Sequence, residues 1–205
     1  HETTLEWAEK SLSAGRPWII NIDETRKPPT RIVGGSAVNT YNDLRDNALW
    51  GNLMAGGAGA EWYFGGKDDK TIEDFRTRQD LYRQTRYARE FFETHLPFLE
   101  MENLDDITVA TNDYVLGKAG EVYAVYLPDG GTTNIALPEG TYDVRWYNSR
   151  AGGDLLTGSV NQISGNGLFS LGQAPYERTQ DWVALIQNTS IGSESAIGSS
   201  PEASI

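Results

Sequence analysis

The spacing of apolar residues changes near residue 104, and the two halves of the chain predict different folds. Residues 2–14 carry Leu5, Trp7, Ala8 and Leu12 at helical spacing, and Gly15 follows where a left-handed cap is expected. Pro17 blocks continuation. Residues 18–22 (WIINI) are a short β-branched apolar run, the pattern of a strand buried on both faces of a parallel sheet, with Asp23 and Glu24 at its C-terminal end. A long loop over residues 25–41 holds Pro28, Pro29, Gly34 and Gly35, and loops of that length are often functional. Residues 42–56 return to helical spacing through Leu44, Leu49, Leu53 and Met54, and residues 61–64 form a second short strand closed by Gly65 and Gly66. The longest helical pattern spans 71–96. Thr71 is its N-cap with Asp74 three positions on, and Ile72, Phe75, Leu81, Tyr82, Ala88, Phe91 and Phe92 make an apolar face before Pro97 stops it.

From residue 104 the pattern is short strands separated by turn signals at intervals of about 8–12 residues. Residues 121–127, 132–137 and 141–147 read as strands, joined by turns at 128–131 (PDGG) and 138–140 (PEG). Further strands are expected near 154–160, 167–172 and 181–187, giving about seven or eight in all and a β-sandwich able to fold alone. Residues 189–205, rich in Ser, Gly, Glu and Ala, read as a disordered tail or linker. The expected division is 1–103, 104–188 and 189–205.

The strand–helix alternation of the first part is that of an α/β fold with a parallel sheet. In barrels of this type the active site lies at the C-terminal ends of the strands. Asp23 and Glu24 fall there, with Trp62 and Tyr63 in the second strand as flat faces for a ring. An acidic pair after a strand is equally a solvated turn or a helix cap, so position alone leaves both readings open. In an extended strand Asn21 and Asp23 share one parity, and Ile22 and Glu24 the other. In the β half Trp146 shares parity with Val144, which makes it a core residue, whereas Tyr147 and Arg150 are expected to be exposed and are candidate ligand contacts.

Composition narrows the function. A net charge of −12 and a pI near 4.6 argue against nucleic acid and anionic membrane surfaces as partners. The arginines of residues 71–96 are interleaved with acids and read as a solvated face. There is no cysteine, and the two histidines, His1 and His95, are far apart, which disfavours zinc thiolate sites, His-rich metal sites and a Ser-His-Asp triad. No apolar run approaches membrane-spanning length. The chain starts at His1, inside a helical pattern, so a preceding segment is expected and the missing signal peptide says nothing about export. The 16 Trp and Tyr against 6 Phe suit contacts to sugars and, equally, partly buried sites.

Residues 16–24 (RPWIINIDE) and 49–65 (LWGNLMAGGAGAEWYFG) resemble the end of apiosidase-like glycoside hydrolase barrels. Residues 123–131 (YAVYLPDGG) and 142–148 (YDVRWYN) resemble the C-terminal module that accompanies them, often labelled collagen-binding. The resemblance covers roughly residues 1–188. It implies the seventh and eighth strands of a (β/α)8 barrel followed by a β-sandwich. It implies a glycan-cleaving enzyme acting on plant- or algal-type polysaccharide side chains, in which a strand-seven carboxylate works with one from strand four. Glu24 matches the strand-seven nucleophile, with Asp23 in reserve and Asn21, Trp62 and Tyr63 as substrate-binding positions. The strand-four partner is absent from these residues, and hydrolysis needs both carboxylates, about 5–5.5 Å apart for retention or about 6.5–9.5 Å for inversion. The chain alone is therefore expected to be inactive without the N-terminal part of the barrel. Two strands cannot close a barrel, so Trp18, Ile20 and Trp50 are expected to lose packing, and the helix of residues 71–96 to cover part of the exposed face. No metal or organic cofactor is called for, and a secreted or periplasmic location is expected by analogy. The alternative is a non-catalytic carbohydrate- or collagen-binding or structural module.

Overall fold

The computed structural model describes residues 1–26, 41–63, 76 and 79–190, without the side chains of residues 24–26, 41 and 63. Residues 27–40 of the expected loop, Phe64 to Gly66, the expected helix start with Thr71, Ile72, Asp74 and Phe75, and the tail from residue 191 lie outside the described residues.

Helix α1 (Glu2–Ser13) forms where its spacing predicts, but it turns a different face inward. Thr4 and Ser11 are buried, while Trp7 and Leu12 are 46% and 67% exposed. The polar pair tolerates burial because it is bonded: Thr4 donates to Asn52 Oδ1 at 2.8 Å, and Ser11 donates to the Arg16 carbonyl at 2.6 Å and accepts from the Trp18 amide. The His1 ring stacks on Tyr114 at 3.9 Å, tying the start of α1 to the β half.

Strand β1 (Asn21–Arg26) pairs in parallel with β2 (Gly59–Tyr63). It begins later than the apolar run predicts. Trp18 and Ile19 precede it and are 56% and 83% exposed rather than buried on both faces. Among the described residues this sheet has two strands, and the run meets no covering layer there.

The helical pattern of residues 42–56 resolves into α2 (Tyr41–Asp43), a π-helical segment (Leu44–Trp50) and α3 (Gly51–Met54). The wider π turn was not legible in the spacing. It presents Leu44, Arg45, Ala48, Leu49 and Trp50 to the interior. Helix α4 (Gln79–His95) buries Leu81, Ala88, Phe91 and Phe92, whereas Tyr82 of the expected stripe is 44% exposed.

The rest is one antiparallel sheet of β3 (Glu102–Asn103), β4 (Tyr114–Lys118), β5 (Val122–Leu127), β6 (Asn134–Tyr147), β7 (Gln162–Ser170) and β8 (Trp182–Asn188), in the order β3-β4-β5-β8-β6-β7. The expected turn at 138–140 is instead a register shift inside the long β6. Pro138 fits there because it sits in the interruption of the ladder to β7, beyond the stretch of β6 that pairs with β8. The expected strand near 154–160 shrinks to a bridge between Leu156 and Trp146. Ile135, in the first half of β6, bridges Thr108, so the sheet folds over its own face and encloses a core of Val125, Tyr142, Val144, Trp146 and Trp182. This arrangement is consistent with a β-sandwich. The turn at 128–131 forms as expected, with Gly130 and Gly131 at positive φ.

The second face of the same sheet is also buried. Leu116, Val122, Ala124, Tyr126, Tyr147, Val183 and Leu185 pack against Leu49, Trp50, Met54, Phe91 and Phe92. Trp50 is fully buried, stacked on Tyr126 with centroids 5.4 Å apart, so it keeps its packing, contrary to expectation. The π segment, α3 and α4 thus form a layer between the parallel pair and the β half.

Candidate active site on the parallel strand pair

In β1 the pairing runs Asn21 to Gly59 and Ile22 to Ala60, then resumes at Thr25 to Trp62. Asp23 and Glu24 therefore face a single residue, Glu61, across a register shift. This is a bulge, a device that re-aims side chains and recurs beside active sites. The acidic pair lies within the strand rather than after it, because the strand starts three residues later than the apolar run suggests. The bulge also breaks the simple parity expected of residues 21–24. Asp23 is exposed, while the side chain of Glu24 lies outside the described set.

The other candidates are not gathered around this pair. Asn21 is exposed at the opposite, N-terminal end of β1. Trp62 is half-buried. Its indole N–H donates to Thr85 Oγ1 of α4 at 2.8 Å, and its ring packs against Leu44, Ala48 and Leu81. The side chain of Tyr63 lies outside the described set. Tyr147, expected at the surface, is 2% exposed: its ring meets Phe91 at 4.8 Å and its hydroxyl donates to the Tyr87 carbonyl. Its parity opposite Trp146 is as expected, but the second face it points to is covered by α4. Arg150 is held by Glu177 and by the Asp181 carbonyl, with its guanidinium 5.4 Å from the centre of the Trp182 ring.

A cavity of about 450 Å³ opens between β2, α3 and the end of α4, lined by Leu49, Leu53, Gly59, Ala60, Phe92 and Leu99 among others. None of residues 21–23 lines it, and it is mostly apolar. Among the described residues no group of His, Asp and Glu is placed to hold a metal ion, and no helix is long and apolar enough to cross a membrane.

The polar groups that sequence reasoning missed lie between the π segment and the sheet. Arg45, 2% exposed, donates from Nε and Nη2 to Asp181 Oδ2 and Oδ1, both at 2.7 Å. Asp181, also 2% exposed, accepts from Ser149 Oγ and, at 3.1 Å, from the Tyr126 hydroxyl. Tyr126 also donates to Asp46 Oδ1 at 2.6 Å. Burial pushes the Asp46 carboxyl up to about 6, although Tyr126 and Arg45 pull it back. Burial raises Asp181 too, but the bonds and charge of Arg45, with Ser149 and Arg150, hold it below the ordinary carboxylate value. Arg45 and Asp181 are 136 residues apart, so no local pattern could have paired them.

With this geometry in view, residues 102–187 match the family described as "Putative collagen-binding domain of a collagenase". Among solved structures, one described as "Glycoside hydrolase" shares 14% identity and a TM-score of 0.64, covering 91% of this chain and 46% of its own. A glycoside hydrolase family 5 protein from Bacteroides vulgatus ATCC 8482 shares 14% identity and a TM-score of 0.60, covering 82% of this chain and 40% of its own. At such identity the likeness is one of fold. The chain spans less than half the length of either structure. No curated protein matches it.

Proposed function

We propose that the chain is part of an apiosidase-like glycoside hydrolase, contributing two barrel strands and the accessory β domain. The observation that carries this reading is the bulge that sets Asp23 and Glu24 apart on a parallel strand pair, within a fold whose likeness to a glycoside hydrolase extends over 91% of the chain. Glu24 is the nucleophile and Asp23 the reserve, with Asn21, Trp62 and Tyr63 as sugar-contacting positions. The strands that complete the barrel, and the second carboxylate that protonates the leaving oxygen, come from polypeptide outside these 205 residues, so the chain alone is inactive. The substrate is a side chain of a plant- or algal-type polysaccharide, cleaved outside the cytoplasm. Two carboxylates suffice for this chemistry, so no metal or organic cofactor takes part. The test is Glu24→Gln in the complete hydrolase, assayed on branched plant and algal polysaccharides. Loss of hydrolysis with an unchanged circular dichroism spectrum is expected. Wild-type rates would sink the assignment.

A second reading, that the β domain is a brace rather than a ligand-binding module, is favoured by one observation. Tyr147 and Arg150, its candidate ligand contacts, are both engaged in internal contacts. Incubation of the whole chain with glycan arrays and fibrillar collagen should then give no retention, and retention that Arg150→Ala abolishes would reverse this view.

A further inference from the structure

Two groups of buried polar contacts, joined by the backbone of the π segment and α3, connect the β half to the start of β2. At one end Asp181, immediately before β8, receives the two-pronged Arg45 guanidinium. Arg45 sits on the π segment, which continues into α3. There Asn52, fully buried, donates from Nδ2 to the Gly59 carbonyl at 2.7 Å and accepts the Thr4 hydroxyl on Oδ1. Gly59 opens β2 and pairs with Asn21 of β1. The Gly57 amide donates to the Asn52 carbonyl and the Ala58 amide to the Ile20 carbonyl, so both strands are tied into the same turn. A side chain at Gly57 would overlap Asn52.

An ion pair this deeply buried is a weak source of stability, because desolvation offsets most of the attraction. What its paired, planar bonds do supply is direction: they admit one rotation of the π segment on the sheet. We infer that Arg45, Asp181 and Asn52 are positioning residues, through which the β half fixes the register of the β1–β2 pair and hence the stance of the Asp23–Glu24 bulge. The consequence for turnover rests on the proposed role of Glu24, whereas the mechanical part rests on the contacts alone.

The test separates position from stability. Arg45→Met combined with Asp181→Leu removes both charges and replaces them with apolar bulk. Tyr126 keeps Asp46 and Ser149 keeps the Asp181 backbone carbonyl as partners. The double variant should fold with a melting temperature at or above that of the wild type. Hydrogen exchange on the intact chain should nevertheless speed up about tenfold or more at the amides of 59–63, while 122–127 hold their protection. Arg45→Lys, which keeps the charge and loses the fork, should show the same exchange pattern. In the complete hydrolase both should lower kcat about tenfold to a hundredfold with KM little changed. Unchanged exchange at 59–63 in both variants overturns the inference, and so does faster exchange with wild-type kcat in an enzyme that Glu24→Gln inactivates. If Glu24→Gln leaves the rate intact, the catalytic assignment fails and the exchange arm still decides the positioning claim.

Discussion

The two sheets of this protein differ in what completes them. The six-stranded antiparallel sheet is closed by its own chain, one face by the fold-over of β6 and the other by the π segment and α4. Among the described residues the parallel pair has no third strand, and the run before it stands out in solvent, with Ile19 83% exposed. Both regions contain a near-continuous apolar run, WIINI in one and VYAVYL in the other. Such a run states that a strand needs cover on both faces, but not where the cover comes from. In β5 it is supplied from within the chain, and every residue from Val122 to Leu127 is buried. In the parallel pair no described residue covers Trp18 or Ile19.

Paired substitutions sharpen this contrast. Trp50→Ala, at a fully buried ring that touches Tyr126, Phe91 and Tyr147, should lower stability by about 3–5 kcal/mol in urea unfolding. A loss below about 1 kcal/mol would mean that the helical layer and the sheet unfold independently.

The next effect is one of pH. Burial holds the Asp46 and Asp113 carboxyls near 6 against an ordinary value of 3.8, so the folded protein binds more protons than the unfolded chain between those values. The stability they contribute is complete below 3.8 and is lost as pH rises through 6. Asp181, held low, acts in the opposite sense: its contribution is present above 3.8 and is lost as pH falls through its folded value. Asp46 and Asp113 should therefore make the melting temperature fall between about pH 5 and about pH 7.5, against the opposite pull of His95 and the N-terminal amine, whose pKa values burial lowers. Asp46→Asn and Asp113→Asn should each flatten that slope and stabilise the neutral-pH protein by up to about 3 kcal/mol. A slope unchanged in both variants would locate the titration elsewhere.

Smaller still is Gly130→Ala. Gly130 has φ of 65°, and a Cβ there would press on the Gln180 and Arg178 carbonyls, for a loss of more than about 1 kcal/mol by thermal melting. Smallest is Trp18→Ala, where a 56% exposed ring should change stability by less than about 0.5 kcal/mol. In the longer hydrolase proposed above the same substitution should be costly, and equal effects in both settings would mean that no further strands pack on this run.

What could be read from the sequence was what depends on near neighbours. Helix α1, the turn at 128–131, the core position of Trp146 and the two short parallel strands all follow from spacing and turn residues. The misses share a cause. Parity placed Tyr147 opposite Trp146 but could not show that α4 covers that second face. Helical spacing located residues 42–56 but not the extra residue per turn that brings Arg45 to Asp181. The acidic pair stands in the sequence next to an apolar run, whereas the bulge that holds it depends on the pairing with Gly59 to Tyr63, which lies in tertiary structure. Asn52 gave no signal beyond its place in a glycine-bearing motif.

The burial of both faces of β5 also bears on how these genes can be recombined. A sequence boundary near residue 102 looks like a clean seam, and the family match begins there. A β domain separated at that seam would carry away an apolar wall of Leu116, Val122, Ala124, Tyr126, Val183 and Leu185, stripped of its helices. Contiguous apolar surface of that kind drives self-association. Transplanted onto another protein, this module would need the π segment, α3 and α4 to keep that wall covered, and the practical unit of inheritance starts near residue 44 rather than at the first strand.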